Sequence, residues 1–426
     1  MLQKNRMARS MWRPRRRGDW AQRIASRFFF PLIIIAPLAG LAAAAVIEAP
    51  KPQTAQKYLG AKVSGPNYTV KPTVRSDGVM RIFEVDTSYG KFTFDGVEFT
   101  KLRLHELEAA AAIEKMSQSE AFGQAFGRAA LGPIKFGADL LTKPADTVER
   151  SLSGIGNMLD RVGAGLSNTR ADRDNVMDSL LGVSDTQRQL AVDLDVDPYT
   201  DFPPLAERLK QMAGAMAGGG LPVRAGLALV PGGVGIAVSS VASVDTAKDS
   251  LRNKSAAQVI AEAKSTLASL GIPPETIDRL VENRNYTPAD LLIMARALKR
   301  LGAENTAIFV DKAAGAGSRN VAFYHRRRAQ ILAARSNELG GLVSFVSVGG
   351  QPVNVSRNGT IVAAFTFDDI VWTDIQQKTF AAATAQIRQI RPGSTPVLAA
   401  TGTITPLADT EIKKLGWKIV QLKPDR

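Results

Sequence analysis

The spacing of apolar positions changes character several times along this chain, and each change marks a segment. Residues 67–100 alternate: Met80 to Val85 reads as a strand, Tyr89-Gly90 as a turn, and Phe92-Thr93-Phe94 as a second strand. Asp95-Gly96 is a hairpin signal ahead of a third, Val97-Glu98-Phe99. From Leu102 the period lengthens. Leu104, Leu107 and Ala111 recur three and four apart, with Glu106 and Glu108 off that face, which predicts a helix running to Met116.

Residues 101–210 read as a helical region rich in glycine. Gly123 and Gly127 lie four apart beside Phe122 and Phe126, and small residues at helical spacing let helix backbones approach closely. The region breaks at Asp197-Pro198 and Phe202-Pro203-Pro204. Residues 211–245 then form an apolar, glycine-rich stretch. Between Lys210 and Asp245 the one charge is Arg224, and Ala225 to Val244 is uncharged for 20 residues. Pro231-Gly232-Gly233 interrupts its centre, which predicts a hairpin. Such a hairpin could be buried in a helical domain or dip into a bilayer, and both readings stay open.

Ordinary amphipathic helices resume over 246–335, and Thr287-Pro288-Ala289-Asp290 is a helix start with a capping hydroxyl and a first-turn proline. Over 336–426 the period changes again. Leu342 to Val348, Pro352 to Val355 and Thr360 to Phe365 read as strands joined at Gly349-Gly350 and Asn358-Gly359. A helix over 375–390, a strand over Val397–Ala400, a helix starting at Thr405-Pro406 and a strand over Lys418–Leu422 complete a βββαβαβ unit. The predicted fold class is α+β: a small N-terminal β-meander, a long glycine-rich helical middle, and this C-terminal α/β unit.

The first 45 residues follow a different rule. Nine cations and one acid, Asp19, occupy residues 1–27, and an apolar run from Phe28 leads into Ala42-Ala43-Ala44-Ala45. Basic, apolar, then small is the order of an export signal, with cleavage at Ala44 or Ala45. Gly18-Asp19-Trp20 follows Arg15-Arg16-Arg17 where a twin-arginine signal wants an apolar pair, so general secretion fits better. An uncleaved anchor is the competing reading, because Phe28 to Ile47 is 20 residues long; Pro31, Pro37 and Gly40 weaken it. Residues 46–66, rich in Pro, Lys, Gln and Gly, read as a linker. The expected location is the periplasm or the extracellular space, with membrane association possible.

Charge and composition narrow the chemistry. The chain is formally +14, but with nine cations and one acid in the export segment the remaining 399 residues carry only +6. That argues against nucleic acid as a partner. The absence of cysteine excludes disulfides, thiolate metal sites and a cysteine nucleophile. Two histidines, His105 and His325, are too few for an imidazole-rich zinc site, and no metal site is predicted. His105 reads as a polar residue at the start of a helix, and His325-Arg326-Arg327-Arg328 as a solvated helix face.

No cofactor is expected. Gly233-Val234-Gly235 begins like a dinucleotide fingerprint, but Val238 stands where its third small residue belongs. The weak catalytic candidates are Asp369, Asp374 and Thr403. Asp368, Asp369 and Asp374 bracket Trp372, and clustered carboxylates can act as acid and base. The blander account is a helix start with Thr373 as cap and Asp374 in the first turn. Thr401-Gly402-Thr403 could offer main-chain amides to an anion, and capping by Thr405 explains the same residues.

Ser76-Asp77-Gly78-Val79-Met80, Leu102-Arg103-Leu104-His105-Glu106-Leu107, Pro144-Ala145-Asp146-Thr147-Val148 and Leu194-Asp195-Val196-Asp197-Pro198-Tyr199 form one set of blocks. With Val371-Trp372-Thr373, Thr401-Gly402-Thr403 and Leu415-Gly416-Trp417, they span residues 66–422. The set resembles an uncharacterised exported proteobacterial family of unknown function. The resemblance implies export and a shared layout, and no activity. The expectation is an exported, non-enzymatic envelope protein that contacts a membrane surface or other envelope proteins. The alternative is a secreted hydrolase with its site at the C-terminal strand ends.

Overall fold

The computed structural model describes residues 46–118, 183–219 and 247–423. Residues 1–45, read above as an export signal, the glycine-rich stretch over 119–182 and the apolar run over 220–246 lie outside these residues. The fold is mixed α+β: an antiparallel N-terminal sheet, a helical middle and a C-terminal mixed sheet with helices.

The N-terminal sheet holds six strands, β1 (Gln53–Thr54), β2 (Ser64–Gly65), β3 (Tyr68–Val70), β4 (Thr73–Ser76), β5 (Arg81–Thr87) and β6 (Gly90–Asp95), with α1 (Ala55–Leu59) between the first two. The residues expected to be a linker are therefore structured, and Ala55 and Leu59 are buried. Alternation along β5 turns Phe83 and Val85 inward, as a half-buried antiparallel strand requires.

Helix α2 (Val97–Ser117) covers that face with Leu104, Leu107, Ile113 and Met116. The hairpin expected at Asp95-Gly96 is instead a strand-to-helix junction. Gly96 takes a φ of 97°, open to glycine at little cost, and the chain turns from β6 straight into α2. His105 consequently lies inside the helix, with Nε2 3.1 Å from the Asp195 carbonyl. Helices α3 (Asp185–Asp193) and α4 (Pro203–Gly219) complete this first core through Leu190, Leu205, Leu209 and Met212. Met212 and Met216 place the opening turns of the apolar stretch in protein interior.

The second core joins α5 (Lys248–Asn253), α6 (Ala256–Ala268), α7 (Pro274–Val281), α8 (Pro288–Leu301), α9 (Ala307–Ala314) and α10 (Arg319–Arg335) to the C-terminal sheet. Thr287 begins α8 as expected: its hydroxyl accepts from Asp290 N–H at 3.1 Å, and the Asp290 carboxylate accepts from Thr287 N–H at 3.0 Å.

Helix α10 overturns the expectation of a solvated basic face, because His325, Arg326, Arg327 and Arg328 are all buried. The helix lies between the two cores and Val321 to Leu332 are buried, so each cation finds a partner inside. Arg326 pairs with Asp290 at 3.2 Å, and Arg328 donates to the Ala364 carbonyl at 2.8 Å and to that of Pro352.

The C-terminal sheet runs β13-β11-β9-β8-β7 in space. Here β7 is Leu342–Val348, β8 is Gln351–Ser356, β9 is Ile361–Phe365, β11 is Val397–Ala400 and β13 is Lys418–Gln421. The first three are antiparallel, while β9, β11 and β13 are parallel and joined by α11 (Asp374–Ile390) and α12 (Pro406–Lys414). This is the expected βββαβαβ order, with two additions. Past the ends of β9 and β11 the chain pairs again as a parallel ribbon, β10 (Asp369–Ile370) with β12 (Thr403–Ile404). Trp417 is buried, with its indole N–H donated to the Thr384 hydroxyl at 2.8 Å.

Candidate functional site

The parallel strands all end on one side, with Phe365, Ala400 and Gln421 in register. Carboxyl ends of parallel strands are where crossovers leave open crevices. Here α1, the start of α2 and one face of α10 wall the crevice into a partly open cavity of about 440 Å³. Such a volume lies within the range of small-molecule sites, roughly 300–1,000 Å³. Its walls are more apolar than polar and include the aromatic side chains of Tyr58, Phe99, Phe323, Tyr324 and Phe367. Tyr324 and Phe367 stack with ring centroids 5.8 Å apart.

Three features position the floor. The turn after β4 docks on the C-terminal unit, with Asp368 and Asp369 N–H groups donating to the Val79 carbonyl at 2.9 and 3.1 Å. The Asp368 carboxylate then accepts from Arg81 N–H at 2.8 Å and from Val97 N–H at 3.0 Å, the latter at the first residue of α2. Gly402 lets the loop after β11 press against the loop after β9, since a side-chain carbon there would overlap the main-chain carbonyls of Phe367 and Asp368.

Beneath this floor Asp369 and Arg81 form a buried ion pair. Thr403 donates its hydroxyl to Asp369 at 2.7 Å, and Arg81 also donates to the Lys51 carbonyl at 2.9 Å. Asp369 and Thr403 are thus brought together, with Thr403 on the cavity wall and Asp369 occupied by its partners. Asp374 is elsewhere. It stands in the first turn of α11, largely exposed and paired with Lys378, and does not line the cavity. Thr373 and Thr405 are the N-cap residues of α11 and α12, and the Thr405 hydroxyl accepts from Ala408 N–H at 3.2 Å.

Among the described residues three carboxyl groups line the cavity, those of Asp95, Glu98 and Asp368. Asp95, the last residue of β6, is buried and accepts from the Asn320 side-chain amide at 2.9 Å. Burial, reinforced by the nearby Asp77, pushes its carboxyl up to about 7. Burial also pushes Asp368 up to about 7, against the pull of its two main-chain N–H donors. Tyr324 lines the same cavity, and its buried hydroxyl has no hydrogen-bond partner among the described residues. Burial raises it to about 12, so it stays protonated near neutral pH.

Asp95, Asn320 and Tyr324 carry no motif that a sequence reading could have isolated. Asp95 and Asn320 meet across a separation of 225 positions, through the docking of α10 against β6, and Tyr324 lines the same cavity one turn further along α10. Among the described residues no group of acidic and histidine side chains could hold a metal ion, and no helix is long and apolar enough to cross a membrane. Comparison with protein-family models, with curated proteins and with solved structures yields no match for this chain.

Proposed function

We propose that this is an exported envelope protein whose working part is a small-molecule binding site, the cavity at the carboxyl ends of β9 and β11. The observation that carries the reading is a cavity of about 440 Å³ with aromatic side chains in its walls and a buried carboxyl, Asp95, that has no ion-pair partner among the described residues. Burial of such a group costs desolvation free energy, which a ligand donating to it would offset. Export rests on the order of basic, apolar and small residues over 1–45. The expectation of contact with a membrane surface or with other envelope proteins rests on the apolar run 211–245, most of which lies outside the described residues.

The test is native mass spectrometry of the protein released gently from the envelope of its host. A bound small molecule that leaves on denaturation, together with a mature chain starting near Val46, is the expected result. Protein found in the cytoplasm with Met1 intact would overturn export. A bare protein whose thermal stability no member of a broad small-molecule library shifts would overturn the binding reading.

One observation favours a second reading, an exported hydrolase. Asp95 and Asp368 share the cavity and both sit near 7, where a carboxyl can give and take a proton. Turnover of a hydrolysable ligand that is lost in Asp95→Asn, with binding retained, would decide for the enzyme.

A further inference from the structure

The charges around the cavity are unevenly matched. Of its cations, Lys101 lies 2.9 Å from Glu98 and Arg327 3.8 Å from the same carboxylate, while Lys57 sits at the exposed rim beside Gln53. Glu98 therefore serves two cations. Asp368 is held by main-chain N–H groups, and Asp95 by one neutral amide. Asp95 is buried, at 4% exposure, and the one cation among the described residues whose charge reaches it is Arg75, with which it makes no ion pair. Tyr324 turns its ring to the cavity wall, and its hydroxyl is buried near Arg328.

We infer that the cavity takes a primary ammonium group on a compact apolar body, with Asp95 as its counter-ion. The inference rests on the reading of this cavity as a ligand site and names the class of ligand. A primary ammonium has three N–H donors and gives a carboxylate charge-assisted hydrogen bonds. Bringing a cation to Asp95 compensates a buried charge, whereas an anion would leave two like charges in a low-dielectric space. The apolar body replaces water against Phe99, Phe323 and Phe367, which supplies the burial a small ligand needs.

Isothermal titration calorimetry of the purified protein with three probes of one shape tests this: 2-phenylethylamine, 2-phenylethanol and 3-phenylpropionate. The amine should bind tightest. Asp95→Asn, whose amide can still accept from Asn320, should weaken the amine roughly tenfold or more and leave the alcohol nearly unchanged. Asp374→Asn, on the surface and paired with Lys378, should change nothing. If the alcohol or the carboxylate binds as tightly as the amine, or Asp95→Asn binds the amine like the parent, the ammonium inference is wrong while the cavity remains a binding site. If none of the three binds at millimolar concentration, the inference falls, and the binding reading loses support with it.

Discussion

The carboxylate of Asp368 accepts the main-chain N–H of Val97, 271 residues earlier in the chain, at the first residue of helix α2. Gly96, the residue in the N-cap position, has no side chain to offer, so a distant loop supplies the cap that sequence neighbours usually provide. One residue thereby ties the N-terminal sheet, the longest described helix and the C-terminal strand ends to a common point.

That tie should be measurable. Asp368→Ala removes the acceptor for two main-chain donors, Arg81 N–H and Val97 N–H. A loss of about 2–4 kcal/mol is expected in chemical denaturation, on the scale of a lost cap plus an unsatisfied buried donor. An unchanged midpoint would mean that water replaces the carboxylate without cost.

Gly402→Ala tests the close approach of the two loops. A methyl group there would meet the carbonyls of Phe367 and Asp368, which are main chain and cannot swing aside. Destabilisation of at least about 1–3 kcal/mol is expected, as for overpacking. The loops should separate, and ligand binding in the cavity should weaken with them.

Trp417 offers a control away from the cavity. Its indole is buried, lies edge-on to Phe380 and donates to Thr384. Trp417→Ala should cost about 3–5 kcal/mol. Trp417→Phe keeps most of the apolar area but loses the 2.8 Å hydrogen bond, and should cost less.

Asp95 predicts a pH dependence. Its folded carboxyl titrates near 7, above the ordinary carboxylate range, so the folded state favours the proton. The stabilisation is complete below about pH 4 and is lost as pH rises through about 7. Between those limits wild type should lose stability relative to Asp95→Asn by up to about 1.4 kcal/mol per pH unit. Parallel stability profiles for the two proteins over that window would show that Asp95 is not held protonated by the fold.

His325 predicts the opposite sign. It is fully buried, its ring nitrogens have no hydrogen-bond partner among the described residues, and burial followed by the charge of Arg328 pushes it down to about 3. Its neutral form stabilises the fold above the ordinary histidine value of about 6.5, and that contribution is lost as pH falls towards 3. Wild type should therefore lose stability relative to His325→Leu as pH drops from 7 to 5. Denaturation midpoints of the two proteins at those pH values measure it.

The sequence by itself determined what local periodicity and local capping control. Alternation placed β5 and β6, the three-and-four spacing placed α2, and Thr287-Pro288 started α8, because each signal is read by residues within a turn or a strand of one another. The order of the C-terminal unit was legible for the same reason. Tertiary structure decided the rest. Asp95-Gly96 carries a hairpin signal, yet a carboxylate from Asp368 and the burial of Phe99 against Phe323 draw the following residues into a helix. The arginines of α10 have the local pattern of a surface, yet two cores close over them and carbonyls of β8 and β9 take the place of water. The cavity depends most on tertiary structure, since Asp95, Tyr324 and Thr403 come from three separate parts of the chain. Their chemistry exists only once burial raises a carboxyl, and burial is a property of packing that no local pattern encodes.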